Sequence, residues 1–132
     1  MAGLDGSPLL RTDFSDEAAW KALIAAVSAP SPEGFRAEIY PVENRDFEGA
    51  EADRVAAADW NDAGILFIAD RDAMQGDEQA VLCVDLVDGS SQPFRCIASE
   101  LWGVENNLRL GNMDYSEFAD LADVSRVFRG FP

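Results

Sequence analysis

Three aspartates stand where the ends of strands would gather them. Asp13 follows the short run Leu9-Leu10-Arg11-Thr12, and Asp70 and Asp72 follow the apolar run Ile65-Leu66-Phe67-Ile68-Ala69. In an open parallel sheet, ligands bind beyond the carboxyl ends of the strands. Three carboxylates there would suit Mg²⁺, a hard cation that takes oxygen ligands and keeps several waters, and such an ion supports phosphoryl chemistry. The competing reading makes Asp13 a helix cap and Asp70-Arg71-Asp72 a solvated turn. The only lysine, Lys21, falls inside the first helix, and no Gly-rich phosphate loop is present.

A second constellation is Trp102-Gly103-Val104-Glu105-Asn106-Asn107. With Leu101, Val104 and Leu108 facing a core, Glu105 is expected to lie partly outward, flanked by Trp102 and Asn106. An amphipathic aromatic beside amides and a carboxylate makes a recognition patch, because Trp anchors often dominate interfaces. The alternative packs Trp102 under the last helix and uses Asn106 and Asn107 to satisfy backbone groups near the helix end.

Other chemistries are closed off by what the chain lacks. It has no histidine, which removes the commonest general base and transition-metal ligand. Serine–histidine and cysteine–histidine pairs are thereby excluded, and Gly-x-Ser-x-Gly is absent. Cys83 and Cys96 show no metal or redox spacing. Acidic residues number 25 against 10 basic, a formal charge of −15, which disfavours binding driven by phosphate neutralisation. The same surplus can steer a basic partner. Residues 1–10 carry neither a basic region nor a long apolar run, so no signal peptide is expected. The longest apolar stretch, 64–69, is too short to span a bilayer.

The elements that must position these residues read as follows. Ser15 is expected to cap a helix whose Trp20, Leu23, Ile24 and Val27 form one apolar stripe. Residues 35–42 read as a second strand with Pro41 at its end. A short helix follows, with Ala52, Val55, Ala56 and Trp60 on one face. The unalternated run 65–69 suits a strand covered on both sides. Residues 80–87 and 94–97 read as a hairpin, and a two-residue turn at Gly89-Ser90 would set Cys83 opposite Cys96. The two thiols are then either small apolar residues packed in the sheet or a redox pair. Ser99 is placed to cap the next helix, and Asp114 and Glu117 stand in capping-box spacing, with Met113 and Phe118 as a hydrophobic staple. Tyr115, Phe118, Leu121 and Ala122 are expected to pack inward.

Two blocks carry a resemblance: Leu10-Arg11-Thr12-Asp13-Phe14-Ser15-Asp16-Glu17-Ala18-Ala19-Trp20, and Leu101-Trp102-Gly103-Val104-Glu105-Asn106-Asn107-Leu108 running on to Asn112-Met113-Asp114-Tyr115-Ser116-Glu117-Phe118-Ala119. They resemble a family of small bacterial proteins, common in actinomycetes, known only as a domain of unknown function. The resemblance covers nearly the whole chain, including Val127-Phe128-Arg129-Gly130-Phe131. It implies a cytoplasmic bacterial protein and brings no activity or catalytic residue with it.

The expected architecture is one α/β domain over residues 1–132 with a mixed sheet of about five strands. Three are parallel and joined by helices, two form a hairpin, and two C-terminal helices pack on one face. An α+β arrangement with a mainly antiparallel sheet is the alternative. The expected function is a non-catalytic acidic module of the cytoplasm that binds a protein, a basic one by charge. It needs no cofactor, nucleic acid or membrane. The alternatives are a small Mg²⁺-dependent enzyme using Asp13, Asp70 and Asp72, and a homo-oligomeric structural protein.

Overall fold

The central strand β1 (Ser7–Arg11) pairs in parallel with β2 (Ile39–Glu43) on one side and with β3 (Ile65–Ala69) on the other. The computed structural model describes residues 6–61, 63–87 and 92–131. Beyond β3 the sheet turns antiparallel through β4 (Val81–Asp85) and β5 (Phe94–Cys96). A short sixth strand, β6 (Val127–Phe128), then pairs in parallel with β5. The order is β2-β1-β3-β4-β5-β6, so the α/β reading holds with six strands rather than five. The added strand was hidden because two residues are too few to carry an alternating pattern.

Among the described residues five helices cover the sheet: α1 (Glu17–Ser28), α2 (Ala52–Ala56), α3 (Arg71–Gln75), α4 (Leu101–Arg109) and α5 (Tyr115–Leu121). Because side chains alternate across a strand, neighbouring residues of β1 and β3 feed two separate cores. Leu9 and Phe67 join Trp20, Leu23, Val27, Met74, Leu101, Val104 and Phe118 on the larger side. Leu10, Leu66 and Ile68 meet Val55 of α2 on the other. That division explains the unbroken apolar run of β3, whose five residues are all buried.

Local chemistry moved several boundaries. The cap of α1 is Asp16, whose carboxylate accepts from the Ala19 N–H at 3.0 Å. Ser15 lies one residue before the cap, in a turn closed by its N–H donating to Asp13 Oδ1 at 2.9 Å. The second strand begins at Ile39, not at residue 35, and Pro41 sits inside it. The edge position of β2 tolerates a residue with no N–H to donate. Ser99 falls within a 3₁₀ turn (Ala98–Glu100), so α4 starts without a side-chain cap. For α5 the Asp114 N–H donates to Glu117 at 3.1 Å, as the capping box requires. Leu121 is 41 % exposed rather than packed inward, because it is the last residue of α5 and lies past the edge of the core.

The hairpin register differs by two residues from the expected one. Cys83 faces Phe94 and Val81 faces Cys96. The Tyr115 hydroxyl bridges the Cys83 and Gln92 carbonyls, at 2.9 Å each, and fixes the two strands in this alignment. Gly89 and Ser90, the expected turn, lie outside the described residues. Both thiols are free and buried.

Candidate functional site

The carboxyl ends of β1 and β3 lie side by side, the Thr12 N–H reaching the Ala69 carbonyl at 3.1 Å. A third segment closes over them where the Gly49 N–H donates to the Thr12 carbonyl at 2.8 Å. Between the three lies a pocket of about 360 Å³ whose wall includes Thr12, Asp13, Glu48, Asp70, Arg71 and Asp72. The strand-end carboxylates named from the sequence thus do share one pocket.

They do not share one role. Asp70 caps α3, accepting from the Ala73 N–H at 3.0 Å. It is also gripped by the guanidinium of Arg95, Nη1 to Oδ1 at 3.0 Å and Nη2 to Oδ2 at 2.7 Å. Such a fork uses both carboxylate oxygens and is among the stronger charge-assisted contacts. Asp72 is 83 % exposed and 3.6 Å from the same guanidinium. Among the described residues no group of three Asp, Glu, Cys or His side chains is arranged to hold a metal ion. Arg95, which sequence reasoning missed, occupies both carboxylate oxygens of Asp70.

Asp13 is different. Its Oδ1 accepts the Ser15 N–H, but its Oδ2 is buried without a hydrogen-bond partner among the described residues. The hydrogen bonds from Ser15 hold its carboxyl below the ordinary carboxylate value, and the charge of Arg71 adds to this. Beside it Thr12 is 4 % exposed, and its hydroxyl likewise makes no hydrogen bond among the described residues. Arg71 forms no ion pair among them either.

The turn that presents these groups is fixed by Arg11, 2 % exposed. Its guanidinium donates to the Asp13 carbonyl at 2.8 Å, to Glu17 at 2.8 Å and to Glu43 at 2.9 Å. It also lies over the rings of Phe14 at 4.6 Å and Trp20 at 5.4 Å. Burial pulls its pKa down, yet the bonds to Glu17 and Glu43 outweigh this and leave it raised. An arginine after two leucines gave no hint of this role, because its partners come from α1 and β2.

The α4 constellation is taken up internally. Glu105, expected to lie partly outward, is fully buried. It accepts from the Glu38 N–H at 2.8 Å, Arg109 at 2.9 Å, Asn106 at 3.0 Å and the Ser7 hydroxyl at 3.2 Å. The chain before β2 crosses this face of α4 and covers it. Asn106 donates to the Arg36 carbonyl at 2.9 Å, and Asn107 to the Gly103 carbonyl at 2.7 Å. Trp102 stacks on Phe35 with centroids 5.6 Å apart and planes at 15°. Its Nε1 is buried without a partner among the described residues, while Phe35 remains 54 % exposed. These residues fasten the segment before β2 onto α4. Both thiols are buried, and desolvation pushes their pKa values up, away from reactive thiolate.

No helix among the described residues is long and apolar enough to cross a membrane. Comparison with curated proteins returns no match. A family model described as a domain of unknown function (DUF6924) matches residues 6–131. That span runs from the residue before β1 to the segment after β6, taking in both cores, the strand-end pocket and the α4 network. On that extent of match the chain belongs to the DUF6924 family.

Proposed function

We propose that the protein is a non-catalytic acidic module of the bacterial cytoplasm that binds a basic protein partner at the carboxyl ends of β1 and β3. The observation that carries this reading is the state of Asp13: a carboxylate lining a formed pocket, with one oxygen lacking a partner among the described residues, in a chain of formal charge −15. Surrounding chemistry agrees with binding rather than turnover. There is no histidine to move a proton, both thiols are sealed in the sheet, and Asp70 is committed to Arg95. Free buried thiols also suit a reducing compartment. Mg²⁺ chemistry at this pocket would first have to break the Arg95 fork.

The test is capture of partners from host lysate by the tagged protein, at low salt and at about 0.15 M, where the Debye length is about 8 Å. A stoichiometric basic protein that survives the higher salt and is lost with Asp13→Asn/Asp72→Asn supports the reading. Retention of every captured protein by that double variant, or loss of all of them from the parent at the higher salt, overturns it.

A further inference from the structure

Polar groups removed from water keep partners unless something else supplies them. One group in the strand-end pocket lacks one among the described residues, the buried Asp13 Oδ2. Beside it on the pocket wall the Thr12 side chain, 4 % exposed, carries a hydroxyl that makes no hydrogen bond among them. Both are oxygens able to accept, and Asp72 adds a third acceptor, exposed at the same mouth. An anion finds little here. One amide at the start of each of α1 and α3 is already taken, by Asp16 and Asp70, and among the described lining residues Arg71 is the one cation. The ring of Phe14 is also spoken for, lying under Arg11 at 4.6 Å and Arg45 at 4.7 Å. Among the described lining residues four carboxylates, Asp13, Glu48, Asp70 and Asp72, stand against the one cation Arg71, so the pocket favours a positively charged donor.

Resting on the reading above, the geometry points to this pocket as the seat of one cationic side chain, lysine or arginine, from the basic partner. The cation donates to Asp13 Oδ2 and to the Thr12 hydroxyl oxygen, with Asp72 across the mouth. A pocket of about 360 Å³ holds such a side chain with room for water. Arg71, adjacent and without an ion pair among the described residues, opposes it. Its presence sets a selectivity: the bound cation must offer at least two hydrogen bonds to outweigh the repulsion.

The experiment follows backbone amide resonances of the full chain during titration with capped pentapeptides holding one central lysine, arginine or norleucine. Saturable shifts centred on Thr12, Asp13, Ser15, Gly49 and Arg71 are expected with lysine or arginine and not with norleucine. The stronger of the two identifies the source. Asp13→Asn keeps the acceptor for Ser15 and removes the charge, and it should weaken binding about tenfold. Thr12→Val should weaken it roughly threefold, whereas Arg71→Ala should tighten it. A zwitterionic or anionic ligand would be weakened by Arg71→Ala, and that sign overturns the proposal. Non-saturating shifts spread over all surface carboxylates overturn it too. A longer lysine- and arginine-rich peptide separates this failure from that of the parent reading. If its saturable shifts map elsewhere, the pocket assignment falls and the acidic module stands; if it does not bind at all, both fall.

Discussion

Replacing Glu105 with alanine tests whether the α4 constellation is a strut of the fold. The carboxylate is fully buried and serves four donors. Two of them recover easily: Arg109 is 26 % exposed and Asn106 is partly exposed, so both can turn to water. The Ser7 hydroxyl, on a residue 7 % exposed, and the Glu38 N–H are left facing the void. An orphaned buried group costs about 1–3 kcal/mol, and breaking a buried charge network by removing one member costs about 3–5 kcal/mol. With two groups recovering, the expected loss is about 3 kcal/mol, or roughly 10 °C in Tm for a chain of this length. Glu105→Gln keeps one acceptor oxygen and turns an amide toward donors, for about 2 kcal/mol. Arg109→Ala leaves the buried Glu105 carboxylate without its counter-charge and should cost about 2 kcal/mol, less than for a fully buried pair because Arg109 is 26 % exposed. Guanidinium chloride unfolding followed by circular dichroism reads all three at constant slope. Were Glu105→Ala within about 1 kcal/mol of the parent, the strut would be fiction. Were Arg109→Ala as costly as Glu105→Ala, the ion pair and not the bonds to β1 and the chain before β2 would carry the network. None of the three should alter cation binding, because Ser7 and Thr12 are at opposite ends of β1, about 16 Å apart.

Gly6→Ala should be severe: φ is +89° and a Cβ would sit 2.1 Å from the Glu38 carbonyl oxygen, whereas Gly111→Ala (φ +75°, open space) should cost only about 1 kcal/mol. Thermal melts of the two variants check the contrast. Cys83 and Cys96 should be silent to a thiol reagent until the protein unfolds. Their folded pKa values are raised by burial above the ordinary 9.0, so their contribution is intact below that value and is lost as pH rises through and beyond it. Melts from about pH 8 to 11 should therefore fall steadily. At the acid end the shifts have the opposite sense: the carboxyls of Asp13 and Asp16 lie below the ordinary 3.8 and that of Glu17 below 4.5. Their contribution is present above those values, so melting temperature should decline as pH drops past about 4. Finally, MgCl₂ should shift Tm no more than ionic-strength-matched NaCl. A Mg²⁺-specific rise abolished by Asp70→Asn would restore the metal reading.

Much of the architecture was legible because it is written in local patterns. The stripe of Trp20, Leu23, Ile24 and Val27 and the unbroken run 65–69 each specify an element and its burial without reference to the rest of the chain. The capping box at Asp114 and Glu117 is local in the same way. What failed to show was decided between distant segments. The hairpin register depends on Tyr115, 32 residues from Cys83, whose hydroxyl spans both strands. Ser15 lost its cap role to a neighbour equally able to take it, since Asp16 is as good a cap as serine. The direction in which Glu105 points depends on the chain before β2 passing over α4, a contact 67 residues away.

The candidate site divides along the same line. Strand ends are readable, so Asp13, Asp70 and Asp72 could be assigned to one place before the fold was known, and the pocket does hold all three. Which of them stays available is not readable, because it depends on where a few cations go. With 10 basic residues against 25 acidic, every arginine that folds onto a carboxylate decides by exclusion which acids remain open. Arg95 goes to Asp70 across 25 residues, Arg109 to Glu105, Arg45 to Glu48, Arg129 to Glu78 and Asp123, and Arg11 to both Glu17 and Glu43. Asp13 receives none of these guanidiniums directly, although Arg11 holds its carbonyl from behind. The same arginine that builds the turn therefore leaves one oxygen of that carboxylate without a partner among the described residues, and removing that arginine should damage the pocket. Arg11→Met would keep the packing against Trp20 and lose the bond to the Asp13 carbonyl, so cation binding should fall even where the fold survives. Preserved binding in a folded Arg11→Met protein would mean that the turn holds its shape without the guanidinium, and the account of how this pocket is positioned would be wrong.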